Sequence, residues 1–246
     1  MSPAASQTTY LVKLKDRRQV AERTMAFQFE KPEGFTFTAG QSIDLTLMNP
    51  LETDGEGNGR TFSIASAPDE DMLLVATRMR DTAFKRVLGT MPIGSQVKIE
   101  GPFGNLVLHN DQARAGMFLA GGIGITPFRS ILLQAAREQL PHRLFLIYAN
   151  RRPQDAPFLQ ELEALQRQNP SYTFVPTMTD MSRSDRSWQG ETGVINQEML
   201  AKHLKSAASP IYYMAGPPGM VRAMRTLLNG MRVDDGDIRT EEFAGY

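Results

Sequence analysis

Hydrophobic and polar positions follow two different patterns along the chain. In roughly the first hundred residues they alternate, as in Met25, Phe27 and Phe29, which is typical of strands with one buried face. Glycine, proline and polar turns separate six such segments, and short antiparallel strands in this number predict a small barrel. The predicted strands cover residues 9–15, 25–29, 43–47, 60–65, 72–78 and 96–100, and the segment 50–59 is predicted as a flexible, solvated excursion.

From about Leu106 onward, strand patterns alternate with helix patterns. The apolar run 117–120 is followed by Phe128, Ile131 and Leu132 at helical spacing. Such alternation predicts a parallel sheet covered on both faces. The fold class is therefore β plus α/β, with an N-terminal six-stranded antiparallel β-barrel in residues 1–108 and a Rossmann-like parallel-sheet domain in residues 109–246. Its further strands are predicted at residues 144–148, 172–176, 211–215 and 238–243.

A glycine-rich turn follows the first strand of the predicted parallel sheet. Gly121, Gly122 and Gly124 would let the main chain approach an anion closely. Thr126 is predicted to cap the following helix, whose first position suits Pro127. The turn is a candidate phosphate cradle, because free N–H groups and the positive end of a helix would face the ligand. The alternative is a structural turn that binds nothing.

A second glycine-rich turn contains Gly216, Pro217 and Pro218 and ends a later strand. Because the carboxyl ends of parallel strands meet at one edge of a sheet, the two turns are expected to form a cleft. The first turn departs from the G-x-G-x-x-G fingerprint, since a proline takes the place of the third glycine. Arg151 and Arg152 follow the second strand, where an ordinary NAD-binding fold often has an acidic residue. A dinucleotide would therefore bind differently here.

Composition excludes several kinds of chemistry. The 246 residues include 27 basic and 27 acidic side chains, so the overall charge does not suggest nucleic acid or an anionic membrane as a partner. The absence of cysteine excludes thiolate nucleophiles and an iron–sulfur cluster held by this chain. The three histidines form no metal-ligand pattern, and no G-x-S-x-G elbow occurs. Without a leader pattern or a membrane-spanning apolar run, we expect a cytoplasmic protein with no membrane insertion and no metal.

Five motifs occur in an order that resembles the ferredoxin–NADP reductase family of flavoproteins, without a fused iron–sulfur domain. R-T-F-S at 60–63 resembles the family's R-x-Y-S flavin motif, and G-P-F-G at 101–104 resembles its G-P-F-G turn. G-G-I-G-I-T-P at 121–127 resembles its pyridine-nucleotide loop. A-G-P-P at 215–218 matches C-G-P-P except at the first residue, and E-E-F at 241–243 matches the terminal E-x-F. The resemblance extends over nearly the whole chain.

On the flavin side, the resemblance implies FAD held mainly by the barrel. Arg60 would bind a flavin phosphate, Phe62 would lie against the isoalloxazine, and Ser63 would hydrogen-bond near N5, the hydride acceptor. Phenylalanine in place of the usual tyrosine keeps the stacking and loses the hydroxyl. A surface arginine and a barrel core residue are the alternatives for Arg60 and Phe62. Thr82 is the candidate hydroxyl of the pyrophosphate clamp, and the remaining flavin-side candidates are Thr61, Thr77 and Arg78.

On the coenzyme side, the resemblance implies NADH or NADPH as cosubstrate. Ala215 replaces the cysteine that the family places beside the nicotinamide. Glu241 resembles the terminal carboxylate near the reacting rings, and with Ser63 it is predicted to be catalytic. Either Phe243 or Tyr246 would cover the flavin. The coenzyme-side candidates are Gly121, Gly122, Gly124, Thr126, Pro127, Arg151, Arg152, Gly216, Pro217 and Pro218.

The function that the resemblance implies is an FAD-dependent NAD(P)H oxidoreductase. It would take hydride from the coenzyme and pass single electrons to a separate carrier, such as ferredoxin, flavodoxin or an oxygenase component. The alternatives are a diaphorase-type reductase of flavins and other small acceptors, and a non-catalytic electron-transfer subunit of a larger complex. The basic run 78–86 would be either a docking surface for an acidic carrier or a solvated face. The choice between NADH and NADPH stays open.

Overall fold

The first half of the chain forms a six-stranded antiparallel sheet in the computed structural model, which describes residues 8–204 and 209–243. Its neighbours follow the order β4-β3-β6-β1-β2-β5. The sheet curls until its edges meet, since the Ala65 amide donates to the Leu74 carbonyl at 2.7 Å. The strands are β1 (Thr9–Ala21), β2 (Thr24–Glu30), β3 (Ser42–Leu47), β4 (Gly59–Ser63), β5 (Met72–Arg78) and β6 (Gln96–Phe103).

Alternation along these strands builds the barrel core, as predicted. Phe27 and Phe29 of β2 and Ile43 and Leu45 of β3 are fully buried inside the barrel. Strand β1 is longer than predicted, because it pairs with β6 over its first residues and then with β2 up to Ala21. The polar residues of its second half do not show an alternating pattern, which explains the underestimate.

The helix α1 (Ala83–Thr90) was not predicted from the sequence. Thr82 is its N-cap, and its hydroxyl accepts from the Lys85 amide at 3.4 Å. The helix buries Phe84 and Leu88, which are four residues apart and lie on one face. That spacing was the available signal, but the basic residues around it obscured the apolar stripe.

The second half of the chain forms a six-stranded parallel sheet in the order β10-β9-β8-β7-β11-β12. Strands β8, β9 and β10 follow one another on one side of β7, and β11 and β12 lie on its other side. The strand order therefore reverses between β7 and β11. The turns after these two strands are therefore neighbours at a topological switch point, where open sheets bind ligands. The elements are β7 (Gly116–Gly121), α2 (Ile125–Arg137), β8 (Leu144–Asn150), α3 (Leu159–Gln168), β9 (Tyr172–Met178), β10 (Glu191–Thr192), α4 (Gln197–Leu204), β11 (Ile211–Gly216), α5 (Pro218–Gly230) and β12 (Ile238–Glu242).

The predicted fold class is confirmed, and two local predictions were wrong. Thr126 does not cap α2, because a short 3-10 turn precedes the helix and Gly124 is its N-cap. The Thr126 hydroxyl instead donates to the Ile123 carbonyl at 3.0 Å, and Pro127 is the third helical residue rather than the first. The two-residue strand β10 was not predicted, since a strand this short leaves no periodic pattern.

Helix α2 fixes the two sheets relative to each other. The buried Arg129 guanidinium binds both Glu161 carboxylate oxygens, at 2.9 and 2.6 Å, and donates to the Ala65 carbonyl that follows β4. The Ser130 hydroxyl donates to the Ser66 carbonyl at 2.6 Å. These contacts hold the edge of the barrel against the turn that starts α2. The segment between β6 and β7 contains the predicted boundary after residue 108, which stays a prediction.

In the two described stretches of the chain, no helix combines the length and the apolar character needed to cross a bilayer.

Candidate active site

Two adjoining cavities lie between the barrel and the carboxyl edge of the parallel sheet. The larger has a volume of about 880 Å³ and the smaller about 430 Å³. Arg78 and Arg80 line both of them. The two cavities therefore form one cleft, with a barrel end and a parallel-sheet end.

The smaller cavity brings together the flavin-side residues that the sequence predicted. Phe62 and Ser63 come from β4 and Arg78 from β5, while Thr126 and Phe243 reach it from the parallel-sheet half. Phe62 also packs in the barrel core at 8% exposure, with its ring centroid 6.0 Å from that of Phe84, and its stacking against a flavin stays a prediction. The predicted residues that line this cavity are Arg60, Thr61, Phe62, Ser63, Thr77, Arg78, Thr82, Thr126 and Phe243.

Two carboxylates of the segment 50–59 bind donors at or beside this cavity, and Glu56 lines it. The Arg60 guanidinium lies over the Phe84 ring and binds the Glu56 carboxylate at 2.7 Å. The Asp54 carboxylate accepts from the Ala83 amide at 2.7 Å, at the start of α1. This bond and a second one from the Glu56 amide lower the pKa of Asp54. Because an arginine and a helix N-terminus both favour negative charge, these contacts mark two anion sites.

The basic run divides between the cleft and the outer surface, a distinction that the sequence did not reveal. Arg80 and Lys85 line the smaller cavity, although neither was predicted to bind a cofactor. Arg86 lies outside it and binds the Glu52 carboxylate through two nitrogens, at 2.9 and 2.7 Å. An exposed cation with a bidentate partner is a solvated ion pair, so much of this run does not form an outer basic face.

Ser63 and Glu241 meet across the two halves of the molecule. The Ser63 hydroxyl donates to the Glu241 carboxylate at 3.3 Å, joining the end of β4 to β12. Burial raises the pKa of Glu241, and the bond from Ser63 offsets part of this effect. A carboxyl group with a raised pKa beside a hydroxyl is suited to holding or moving a proton.

Phe243 closes the cleft from the end of the parallel sheet. Its amide donates to the Gly216 carbonyl at 3.0 Å, which ties this part of the chain to the turn after β11. Its half-buried side chain lines the smaller cavity. Tyr246, the other predicted aromatic cover, lies outside the described residues.

The larger cavity lies over the two glycine-rich turns. Gly121, Gly122, Pro217 and Arg151 line it, together with apolar side chains of α5 such as Met220. Asn150, at the end of β8, also lines this cavity, and sequence reasoning missed it. Its buried side-chain nitrogen is without a hydrogen-bond partner among the described residues.

Close packing between the two turns explains two of the glycines. A Cβ at position 124 would lie 2.2 Å from the Ala215 carbonyl oxygen, and a Cβ at position 121 would lie 2.3 Å from the Met220 sulfur. A side chain at position 124 would push the two turns apart, because it meets backbone atoms, whereas one at position 121 would have to displace the end of the Met220 side chain.

The predicted arginines of the coenzyme side have different environments. Arg151 is exposed at the larger cavity. Arg152 binds the buried Asp155 carboxylate at 2.7 and 2.8 Å and Glu22 at 2.8 Å, and it lines neither cavity. Its ion pairs connect the parallel sheet to the β1–β2 hairpin. The assignment of both arginines to the coenzyme stays a prediction.

Comparison with known proteins first gives the class. Residues 118–226 match the family model of the oxidoreductase NAD-binding domain. The match begins in β7 and ends in α5, so it contains both glycine-rich turns. The parallel-sheet half therefore belongs to the NAD-binding domains of oxidoreductases.

Similarity over the whole chain gives the family. The chain is 30% identical over 215 residues to ferredoxin–NADP reductase B from Sorangium cellulosum, which covers 85% of each protein. It therefore belongs to the ferredoxin–NADP reductase family of flavoproteins. A ferredoxin NADP+ reductase from Neisseria gonorrhoeae, solved with bound FAD and NADP, has the same fold, with a TM-score of 0.77 at 22% identity over 95% of this chain and 98% of that one.

Other relatives are longer proteins. One of them, from Idiomarina loihiensis, belongs to a Na(+)-translocating NADH-quinone reductase and is 29% identical over 186 residues. The matched residues are 74% of this chain and 44% of that protein. This chain thus spans less than half the length of that relative.

Proposed function

We propose that this chain is an FAD-dependent NAD(P)H oxidoreductase that takes hydride from the coenzyme and passes single electrons to a separate carrier. One observation carries the proposal. The Ser63–Glu241 contact joins the barrel to the parallel sheet at 3.3 Å, in a cleft that Arg78 and Arg80 line at both ends. Hydride transfer needs two ring systems held face to face, and a cleft shared by two nucleotide-binding halves meets that need.

The residues of the smaller cavity fit a flavin dinucleotide. Arg60 and the start of α1 already bind carboxylates of this chain, so their donors are directed at negative charge. In the cofactor complex these groups would bind the diphosphate, and Phe62 would pack against the isoalloxazine. When bound, FAD supplies the hydride acceptor and the one-electron donor.

Ser63, Glu241 and Phe243 would act on the reacting side of the cleft. The Ser63 hydroxyl, which lines the smaller cavity, would hydrogen-bond near the hydride acceptor and hold the Glu241 carboxyl beside it. Glu241 would position the nicotinamide or hold a proton there, because its raised pKa keeps it protonated to higher pH than an ordinary glutamate. Phe243 would cover the ring and exclude water until the coenzyme enters.

The electron acceptor would be a separate protein of the ferredoxin type. The 246 residues contain no cysteine, so they do not themselves ligate an iron–sulfur centre. The names of two relatives, a ferredoxin–NADP reductase and a component of an NADH-quinone reductase, support electron transfer to a partner. We further propose that residues 1–108 hold the flavin and residues 109–246 the coenzyme.

Anaerobic titration of the FAD-loaded protein tests this function. Stepwise addition of NADH, and separately of NADPH, is expected to bleach the flavin absorbance, and the more efficient coenzyme is identified in the same experiment. Protein that binds no FAD, or bound FAD that neither coenzyme reduces, would contradict the proposal. Turnover with ferredoxin is then compared with turnover on free flavin, and a large preference for free flavin would favour the diaphorase alternative.

A further inference from the structure

Lys85 occupies a position that is unfavourable for the stability of its own helix. It is the third residue of α1, close to the positive end of the helix dipole, and the first turn contains no acidic residue. At this position a glutamate or glutamine is favoured, since it can complete a capping box, whereas a cation is repelled by the helix dipole. Positions that break a local rule without a structural gain are often functional.

The surroundings of Lys85 add to this repulsion. Its side chain is half-buried in the wall of the smaller cavity, and its ammonium group donates to the Arg78 carbonyl at 2.6 Å. Burial, and then the charges of Arg80 and Arg60, lower the pKa of Lys85 to about 8, and Glu56 is the acidic group that opposes this effect. Three cations therefore face one another with a single carboxylate acting on Lys85.

The chain itself indicates what this cluster binds. Glu56 lies on Arg60, and Asp54 lies on the Ala83 amide, two residues before Lys85. Glu56 and Arg60 line the smaller cavity, and the Ala83 amide directly follows Thr82, which also lines it. One bound carboxylate therefore lies on the cavity wall and a second lies next to it. A diphosphate carries two negative charges on linked groups and matches this arrangement, whereas a flavin without phosphates offers these cations no comparable charge.

We propose that Lys85 is a further binding residue for the diphosphate of the flavin cofactor, acting beside Arg60 at the start of α1. The inference rests on the proposed function, because it needs FAD in the smaller cavity.

This role couples flavin binding to the protonation of Lys85. The diphosphate stabilises the charged ammonium group, so the pKa of Lys85 is higher in the complex than its value of about 8 in the free protein. Affinity is therefore full below this pH and falls as the pH rises through it, by up to about tenfold per pH unit.

Three variants and two ligands test the proposal. Equilibrium binding of FAD and of riboflavin, which lacks the diphosphate, is measured below and above pH 8. Lys85→Met is expected to weaken FAD binding below that pH by about ten- to hundredfold and to change riboflavin binding less than about twofold. Lys85→Arg should retain FAD binding and lose the decline at high pH. Lys31→Met is the matched control, because Lys31 also donates to a carbonyl, that of Pro68, but lies outside both cavities.

A melting experiment separates binding from folding. Removal of one of three mutually repelling cations should raise the Tm of the flavin-free protein, while the same variant loses FAD affinity. Equal losses for FAD and riboflavin, or no loss for either, would overturn the role of Lys85. Wild-type protein that holds FAD and is bleached by NAD(P)H, with Lys85→Met unchanged, would contradict this inference alone. Wild-type protein that does not bind FAD would contradict the proposed function and this inference together.

Discussion

The two ends of the cleft are built from different chemistry. The barrel end gathers cationic side chains, among them Arg60 and Lys85, and carboxylates of the segment 50–59 lie against its anion sites. At the parallel-sheet end, two turns pack so closely that Gly124 has no room for a side chain. Side-chain cations need counter-charges when they are partly buried, whereas packed turns need only the absence of side chains. Four arginines also line the larger cavity, so binding at both ends should respond to charge, and the parallel-sheet end should respond to steric change as well.

The largest effect is expected for Gly124→Ala. Its Cβ would lie 2.2 Å from the Ala215 carbonyl oxygen, so the turns after β7 and β11 must separate. We expect coenzyme-dependent flavin reduction to slow by about a hundredfold or more, because small displacements of the reacting groups are costly. A loss of about 2–4 kcal/mol in the free energy of unfolding should accompany it. Rapid-mixing kinetics and thermal melting measure the two effects.

Gly219→Ala is the control for this substitution. Gly219 lies in the first turn of α5, and a Cβ there would have nothing within 4 Å. Alanine should stabilise the helix slightly, by up to about 1 kcal/mol, and leave hydride transfer unchanged. Equal behaviour of the two variants would show that close contact between the turns does not matter.

The next effect is expected for Arg60→Ala at the barrel end. Loss of one charge-assisted contact to a phosphate should weaken FAD binding by about 1.5–3 kcal/mol, or roughly ten- to a hundredfold. Arg86→Ala is the control, because Arg86 also binds a glutamate of the segment 50–59 but lies outside the cavity. This substitution should leave FAD affinity unchanged. Fluorescence titration of the flavin-free protein measures both. Unchanged affinity in Arg60→Ala would contradict its assignment.

A smaller effect of opposite sign is expected for Glu56→Gln. The Glu56 carboxylate competes with a phosphate for the Arg60 guanidinium, so its neutralisation should tighten FAD binding by about three- to tenfold. Glu52→Gln is a matched control, because Glu52 belongs to the same segment and also binds an arginine at 2.7 Å, but outside the cavity. Weaker FAD binding in Glu56→Gln would indicate that the carboxylate positions Arg60 rather than competing for it.

The sequence predicted what depends on local pattern. Alternating hydrophobic positions predicted the barrel strands. The glycine-rich turns at Gly121 and Gly216 predicted which edge of the parallel sheet faces the cleft. Both signals are local, because the alternation of a strand and the residue types of a turn are found within a few consecutive residues. Ser63 and Glu241 were each predicted near the reacting rings from the family resemblance alone, and the hydrogen bond between them, across 178 positions, was not predicted.

The sequence did not predict what depends on long-range charge. The segment 50–59 is largely exposed, as predicted, but the sequence did not predict that Asp54 binds the Ala83 amide or that Glu56 binds Arg60. In the sequence, nothing distinguishes the positions of Arg80 and Lys85 from that of Arg86 within the basic run. Only the fold shows that the first two line the cavity and that Arg86 pairs with Glu52 outside it. Thr126 failed as a cap because a 3-10 turn shifted the start of α2.

The smallest effect is expected for Glu241→Gln, whose carboxylate joins β12 to Ser63 of the barrel. Burial raises the pKa of Glu241, so the folded protein binds its proton more tightly than the unfolded chain does. The stability that this proton contributes is complete below the ordinary glutamate pKa of 4.5 and is lost as the pH rises through the folded value. A permanently neutral glutamine avoids this loss. We expect Glu241→Gln to be more stable than the wild type at neutral pH, by on the order of 1 kcal/mol, with the difference vanishing in acid.

The neighbouring Glu242→Gln is the matched control, since Glu242 is exposed and should show no such pH dependence. Chemical denaturation over a pH series measures all three proteins without any cofactor. On FAD-loaded protein, the hydride-transfer rate and the FAD affinity are measured over the same pH values. The hydride-transfer rate of Glu241→Gln should lose its dependence on pH, while its FAD affinity stays unchanged. A parallel loss of FAD affinity would mean that Glu241 contributes to FAD binding at the barrel end and does not act on hydride transfer alone.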